Sequence, residues 1–200
     1  MTGVAIIDSG GANIASLLFA LRRLGHEASL TRDPGVIRGA DKVILPGVGA
    51  AADAMERLAE HHLDRLIPTL QQPVLGICLG MQLLFGDSEE GPSRCLGIIP
   101  GRARRFPAAA GPVPHMGWNQ VHRSSDSPLL SGIDDGEYFY FVHSYALPPG
   151  PGTVATTDYG GPFTSVASQA NFHGTQFHPE RSGPAGARVL RNFLETAAWS

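Results

Sequence analysis

The stretch PVLGICLGMQLLF, residues 73–85, decides how the rest of the chain is interpreted. PVLGIC (73–78) is a short apolar run typical of a buried strand, and LGMQLLF continues from it as an apolar helix pattern. Glycines at 76 and 80 flank Cys78 in a G-x-C-x-G motif. Glycines permit a sharp turn that exposes the residue between them, so we predict that Cys78 lies at the tip of a nucleophile elbow.

Cys78 has the setting of a reactive thiol. The unpaired N–H groups at the start of a helix and the positive end of its dipole favour a thiolate. On the motif alone, a tightly packed junction between strand and helix explains the glycines equally well. The second cysteine, Cys95, is either a buried apolar filler or a reactive thiol and has no assigned role, and we expect both cysteines to be reduced.

His178, in QFHPERS (176–182), is the best candidate for a base beside that thiol. Pro179 keeps His178 extended, and Glu180, two residues beyond His178, then points to the same side. This triplet predicts an imidazole oriented by a carboxylate, as acyl transfer by a cysteine nucleophile requires. An ordinary surface turn is the competing interpretation of the same triplet.

The alternation of strand and helix recurs through the first half of the chain. Helical patterns begin near Asn13 and Ala51, and short apolar runs predict strands at 4–8, 27–33, 42–46 and 73–78. Four such repeats predict an α/β fold with a parallel sheet covered by helices on both faces. Closer-spaced patterns then predict mixed or antiparallel strands at 96–106, 137–145, 153–160 and 173–177, followed by a last helix over 184–198.

The composition favours one globular domain spanning residues 1–200. The chain is 42% hydrophobic and 16% charged, and we expect no domain boundary in the Pro- and Gly-rich segment 106–114. A net charge of −3 argues against a nucleic-acid partner. The chain has no apolar run of membrane-spanning length and no basic start of a secretory signal, so we predict a cytoplasmic protein without a membrane partner.

Two other site types can be weighed on the sequence. His-x-Glu is half of a zinc deaminase signature, but the P-C-x-x-C motif that completes it does not occur after Cys95. The G-x-G-x-x-G pattern of dinucleotide sites does not occur after the first predicted strand. We therefore expect neither a metal nor a cofactor.

The turn LPGVGA (45–50) follows the third predicted strand and is a candidate oxyanion site. Its glycines allow backbone N–H groups to approach a substrate, and the N–H of Leu79, directly after the nucleophile, is the second natural donor. The same glycines also suit any tight turn between a strand and a helix.

Together, GICLGMQLLF, PGVG and FHPE resemble the triad-type (class I) glutamine amidotransferases, whose glutaminase domains hydrolyse glutamine and pass ammonia to a synthase. Within that family, the chain is most similar to the glutaminase subunits of imidazole glycerol phosphate synthases. The stretches that carry this likeness are PHMGWN (114–119), YFVHSY (140–145), LLFGDSEEG (83–91), GIIPGRARRF (97–106) and QFHPERS. The resemblance covers nearly the whole chain and implies a flavodoxin-like, three-layer fold with a mostly parallel central sheet and an added antiparallel portion.

The resemblance also implies roles. Cys78 would attack the glutamine amide, His178 would transfer protons, and Glu180 would orient His178. The oxyanion site would consist of Gly47, Val48, Gly49 and Leu79. The residues that hold the glutamine head group would be Gln82, Glu90, Ser144 and Tyr145.

The implied partner is a (β/α)8-barrel cyclase subunit, in a heterodimer that makes imidazole glycerol phosphate and aminoimidazole carboxamide ribotide. Residues expected near that interface are Met116, Trp118, Asn119 and Arg181. The chain departs from the family pattern at Ser9, Ala51 and Arg181, which leaves the interface contacts and the activation by the partner open. Two alternatives remain: a glutaminase that serves pyridoxal phosphate or anthranilate formation, and a silent binding subunit, against which the complete triad argues.

Overall fold

The computed structural model of the chain describes residues 3–10, 14–91, 93–197 and 199, so the predicted cap Asn13 lies outside the described residues. The helices are α1 (Ile14–Arg23), α2 (Pro34–Gly39), α3 (Ala51–Glu60), α4 (Leu63–Leu66), α5 (Leu79–Leu83) and α6 (Gly183–Glu195). The strands are β1 (Val4–Ile7), β2 (Ala28–Thr31), β3 (Lys42–Gly47), β4 (Val74–Cys78), β5 (Phe85–Ser88), β6 (Ser93–Arg94), β7 (Ile99–Arg105), β8 (His115–Arg123), β9 (Glu137–His143), β10 (Tyr145–Ala146), β11 (Thr153–Asp158), β12 (Pro162–Gln169) and β13 (Phe172–Thr175).

A nine-stranded sheet forms the centre of the fold, in the order β2-β1-β3-β4-β13-β12-β11-β8-β9. The five strands from β2 to β13 pair in parallel, and the sheet continues from β12 to β9 with antiparallel pairs. The predicted α/β fold with an antiparallel extension is therefore confirmed. A second sheet of four strands, β10-β7-β5-β6, was not predicted.

Both faces of β1, β3 and β4 are buried, which is why these strands read as continuous apolar runs, whereas the edge strand β2 is partly exposed. Along β3, Ile44 packs on the face covered by α1 and α6, whereas Val43 and Leu45 pack on the face covered by α3 and α5. This alternation produces the predicted three layers. Within the described residues, no helix is both long enough and apolar enough to cross a membrane.

Several predicted elements differ in extent from those in the structure. The helix expected through LGMQLLF ends at Leu83, and the chain enters β5 at Phe85. The last helix ends at Glu195 rather than at residue 198. Segment 106–114 joins β7 of the second sheet to β8 of the central sheet.

Strands β8 and β12 and helix α2 are among the elements that were not predicted, because their sequences lack a clean apolar period. Strand β8 carries polar residues at most positions, and β12 buries Thr164 and Ser165 among its apolar residues. Helix α2 has only six residues, but its start was readable: the Asp33 carboxylate accepts from the N–H groups of Gly35 and Val36, with Pro34 in the first turn.

Close packing around the elbow explains its glycines. A Cβ atom on Gly76 would lie 2.6 Å from the carbonyl oxygen of Gly80, and one on Gly80 would overlap the carbonyl oxygen of Leu45. A Cβ atom on Gly47, at the end of β3, would lie 2.8 Å from the amide nitrogen of Gly80. These glycines therefore let β3, β4 and α5 approach one another and fix the position of Cys78.

Candidate active site

A cavity of about 350 Å³ opens at the carboxyl ends of β3 and β4. This is the edge at which open α/β sheets place their ligand sites. Its lining contains the three residues predicted to carry the chemistry, Cys78, His178 and Glu180. The four residues predicted to hold glutamine also line it, namely Gln82, Glu90, Ser144 and Tyr145.

Cys78 occupies the strained turn that the elbow motif predicts. Its backbone φ is 55° and its ψ is −113°, an unusual conformation for a residue with a side chain, and α5 begins at the next residue. The thiol donates to the Val142 carbonyl over 3.8 Å, and the Gln176 amide donates to the Cys78 sulfur over 3.7 Å. The side chain is buried except where it meets the cavity.

His178 is held by hydrogen bonds to its ring and to its backbone. The ring Nδ1 donates to Glu180 Oε1 over 2.8 Å, and the buried Glu180 side chain lies beside it in the cavity wall. The His178 carbonyl accepts from the Ser182 hydroxyl over 2.7 Å. The predicted contact between imidazole and carboxylate is thus present, but Glu180 lies in a one-turn 3₁₀ helix, Pro179–Arg181, instead of extended chain.

The pKa of His178 is raised from its ordinary value of 6.5 to about 10. Burial lowers it, but the negative charges and hydrogen-bonding groups of Cys78 and Glu180 raise it by more. The Nδ1 contact with Glu180 leaves Nε2, which is buried and has no hydrogen-bond partner within the described residues. The arrangement therefore places a protonated imidazole beside the Cys78 side chain, where its charge can stabilise the thiolate that attacks the substrate.

The predicted oxyanion residues divide into two groups. Val48, Gly49 and Leu79 line the cavity next to Cys78, and Gly49 has a φ of 87°. Gly47 instead packs against the elbow and serves the close approach of β3. Ser9, where the chain departs from the family pattern, stabilises the end of β3, because its hydroxyl donates to the Pro46 carbonyl over 2.8 Å.

Glu90 contributes a carboxylate to the wall of the cavity. Burial raises the pKa of Glu90, the N–H of Ala51 lowers it by donating to the carboxylate over 3.3 Å, and the charge of Asp53 raises it. Ala51, where the chain departs from the family pattern, therefore contacts this carboxylate through its backbone N–H. Gln82 has its side-chain amide fixed by hydrogen bonds to Tyr145 and Gln176.

The four predicted interface residues lie on and beside the hairpin of β8 and β9. Met116 and Trp118 are 62% and 55% exposed on its outer face, and Arg181 lies over the Tyr140 ring at 5.6 Å. Asn119 differs, because its side chain turns inward to His115 Nε2 at 3.2 Å. The hairpin thus presents an apolar outer face next to the cavity, with Asn119 on its inner side.

Two buried histidines close to the cavity were missed as site residues. His115 Nδ1 and His143 Nε2 lie 3.0 Å apart, and His143 Nδ1 contacts the Tyr145 carbonyl at 2.8 Å. Their signal was present in PHMGWN and YFVHSY, but alternation along a strand cannot show that β8 and β9 pair with His115 opposite His143.

We expect three buried histidines, His115, His143 and His173, to lower the stability of the protein in acid. Burial lowers the pKa of His115 to about 4 and of His143 to about 3, and burial together with the charge of Lys42 lowers the pKa of His173 to about 4. The unfolded chain binds the extra protons below about pH 6.5, so stability present above that pH is lost as the pH falls toward 4. Each histidine then costs about 2 kcal/mol of unfolding free energy at pH 5.

Urea denaturation at pH 7.5 and pH 5 measures this loss. The His173→Asn variant should lose about 2 kcal/mol less than the parent protein between the two pH values, because one such group is gone. His178 does not affect this comparison: its raised pKa gives a contribution that is complete below pH 6.5 and is lost as the pH rises toward 10, and this contribution is the same in the variant and the parent. An equal loss in variant and parent would contradict the assignment of His173 as a neutral buried group.

The class of protein follows from comparison with known families. The family model described as glutamine amidotransferase class-I matches residues 5–197, and the chain belongs to that family. A solved structure described as a glutamine amidotransferase superposes with a TM-score of 0.75, over 96% of this chain and 97% of that one, at 20% identity, and shares the fold.

Within the family, the chain is similar to curated proteins described as imidazole glycerol phosphate synthase subunit HisH. The Xanthomonas axonopodis protein is 54% identical over 196 residues, covering 98% of each chain. The Vibrio parahaemolyticus protein is 48% identical over 198 residues, covering 96% of this chain and 97% of the other. This likeness supports the function predicted from the sequence, that of the glutaminase subunit of imidazole glycerol phosphate synthase.

Proposed function

We propose that residues 1–200 form one glutaminase domain that hydrolyses L-glutamine through Cys78, His178 and Glu180 and passes ammonia to a cyclase subunit. The observation that carries this proposal is the meeting of these three side chains in one cavity, with Cys78 in a strained elbow and a 2.8 Å contact between His178 and Glu180. The family membership and the similarity to HisH proteins agree with it.

In the first half of the reaction, the Cys78 thiolate attacks the side-chain amide carbon of glutamine. The negative charge that develops on the amide oxygen is stabilised by backbone N–H groups at Val48, Gly49 and Leu79. His178, protonated on Nε2, gives its proton to the departing nitrogen, so that the C–N bond breaks as ammonia forms. The product is a glutamyl thioester on Cys78.

In the second half, the neutral His178 removes a proton from water, and the resulting hydroxide attacks the thioester carbon. The C–S bond breaks and returns the thiolate, with the proton on His178 restoring the starting pair. The sum is glutamine plus water giving glutamate plus ammonia. Glu180 keeps Nδ1 protonated and the ring oriented through both halves.

The cavity wall offers contacts for the rest of the substrate. The Glu90 carboxylate suits the α-ammonium group of glutamine, and Gln82, Ser144 and Tyr145 lie on the same wall. Ammonia released into water would be protonated and lose its nucleophilicity. Delivery to an attached synthase avoids this loss.

We place the cyclase subunit on the outer face of the β8–β9 hairpin, in a heterodimer. Three large side chains there are at least half exposed, at 62% for Met116, 55% for Trp118 and 50% for Tyr138. An apolar group of this kind on one face is typical of a protein interface. Arg181 and Val142 connect this face to the cavity, because both residues also line the cavity.

Both cysteines are free, which fits a protein that works in the reducing cytoplasm. We therefore infer a cytoplasmic location.

The test is glutamate release from glutamine by the purified chain, alone and with an imidazole glycerol phosphate synthase cyclase subunit and its nucleotide ligand. We expect strong stimulation by that partner. Glutamate release that the cyclase does not stimulate would support a glutaminase but overturn the assignment to this synthase. That result is expected if the true partner serves pyridoxal phosphate or anthranilate formation. Absence of glutamate in every pairing would favour the silent binding subunit.

Removal of the Trp118 side chain should weaken the heterodimer by about 30-fold, because truncating a large central aromatic side chain typically costs about 2 kcal/mol or more. The matched control is Phe19→Ala, since Phe19 is 61% exposed on α1, outside the hairpin. Calorimetric titration with the cyclase measures both variants. If Phe19→Ala weakens binding as much as Trp118→Ala does, the hairpin is not the interface.

A further inference from the structure

A buried amide lies directly behind the nucleophile and has no part in the mechanism above. Gln176, at the end of β13, is fully buried, and its Nε2 donates to the Cys78 sulfur over 3.7 Å. Its Oε1 accepts from Gln82 Nε2 over 2.9 Å. Gln82 Nε2 also donates to the Tyr145 carbonyl over 2.9 Å. The amides of Gln176 and Gln82 therefore link the Cys78 sulfur to the backbone of β10.

The orientation of both amides follows from one backbone group. The Tyr145 carbonyl can only accept, so the nitrogen of Gln82 must face it. The other N–H of that nitrogen points at Gln176, which must present its oxygen. Gln176 then presents its nitrogen to Cys78. The donor at the sulfur is thus fixed by the order of contacts.

The carbonyl is held from a second direction by the buried histidines. His143 donates to it from Nδ1 over 2.8 Å, and its Nε2 accepts from His115 Nδ1 over 3.0 Å. His115 Nε2 in turn accepts from Asn119 over 3.2 Å. Burial lowers the pKa of both histidines, so both are neutral at pH 7 and this order of donors is maintained. Two donors therefore fix the Tyr145 carbonyl.

We propose that Gln176 is a catalytic residue that donates a hydrogen bond to the Cys78 sulfur and stabilises its thiolate, oriented by Gln82 and the Tyr145 carbonyl. A donor to an anion stabilises the charged form more than the neutral one. The sulfur is an anion when it attacks and again as the leaving group of the thioester, so the same contact assists both halves of the reaction. The inference rests on the proposed function in one respect, because it takes Cys78 as the nucleophile.

The test follows alkylation of Cys78 by iodoacetamide over pH 4–9, in a Cys95→Ser background that leaves one reactive thiol. Gln176→Met keeps the length of the side chain and removes the donor. We expect the pH of half-maximal alkylation to rise by about one unit and kcat/KM for glutamine in the complex to fall by about tenfold, with KM changed less than kcat. The other titratable and charged groups that line the same cavity are unchanged in this variant, namely Glu90, His143, Tyr145, His178, Glu180 and Arg181.

A matched control and a second variant separate donation from packing. Gln72→Met removes an amide that donates to the Ile37 carbonyl over 2.8 Å outside the cavity, and it should leave the alkylation profile within the error of the parent. Gln176→Leu removes the donor with a second apolar side chain of similar size and different shape, so its half-maximal pH should rise as far as that of Gln176→Met.

An unchanged profile in both Gln176 variants would overturn the proposal, and so would an equal shift in Gln72→Met. Should Gln176→Met fail to fold, Gln176→Leu gives the same decision. Alkylation requires no glutaminase turnover. Failure of the parent complex to release glutamate would therefore count against the proposed function and leave the result on Gln176 standing.

Discussion

Replacing Cys78 by serine lowers kcat/KM for glutamine by about 10⁴-fold or more, the size of loss that follows removal of a nucleophile acting as one unit with its base. A serine hydroxyl is far harder to ionise than a thiol, and the imidazolium of His178 then has no thiolate beside it. Glutamate release by the complex measures the loss. Synthesis by the cyclase from added ammonia should be unchanged, because that route does not use this cavity.

Cys95→Ser is the matched control for that experiment. Burial and the charge of Asp87 raise the pKa of Cys95 to about 11, so its thiol is protonated at neutral pH. Its sulfur lies outside the cavity and donates to the Ser93 carbonyl over 3.9 Å. We expect glutamine use within about twofold of the parent, because Cys95 is only partly buried and lies outside the cavity. If the Cys78→Ala variant uses glutamine as fast as the parent does, Cys78 is not the nucleophile and the proposed mechanism is wrong.

Gly80→Ala is expected to destabilise the protein by more than about 4 kcal/mol and to remove glutaminase activity with it. The added Cβ would overlap the Leu45 carbonyl oxygen, which belongs to the backbone of β3 in the middle of the sheet. A central strand cannot shift without disturbing its pairs with β1 and β4. Urea denaturation measures the loss of unfolding free energy.

Gly39→Ala provides the comparison, because a Cβ on Gly39 has no described atom within 4 Å and the residue lies in helix α2. Its unfolding free energy should be unchanged or raised by up to about 1 kcal/mol. If Gly80→Ala costs no more than about 1 kcal/mol, the close packing of the elbow does not determine the position of Cys78.

Much of the site could be predicted because its parts are local in sequence. The elbow depends on glycines next to Cys78, and the contact of His178 with Glu180 depends on residues two positions apart. The extent of the helix after Cys78 could not be predicted in the same way. LGMQLLF has an apolar pattern that suits either a helix or a buried strand, and the pairing of β5 with β7 ends the helix at Leu83.

The pattern of the parallel strands was predictable for a related reason. Burial on both faces gives β1, β3 and β4 continuous apolar runs, which the sequence displays directly. Strands β8 and β12 lack that signal. In β8, Met116 and Trp118 are exposed on one face, and the polar side chains of His115 and Asn119 form hydrogen bonds on the other. Their place in the sheet depends on partners far along the chain.

By itself, the sequence determined the fold class, the elbow with Cys78, and the pairing of His178 with Glu180, because glycine conformation, proline and side-chain spacing act within a few residues. The tertiary structure alone decided that Gln176 donates to Cys78 and that two histidines hold the Tyr145 carbonyl. The first contact joins residues 98 positions apart. Such contacts depend on strand order and register, which are set by the packing of the whole sheet and leave no periodic mark in the sequence.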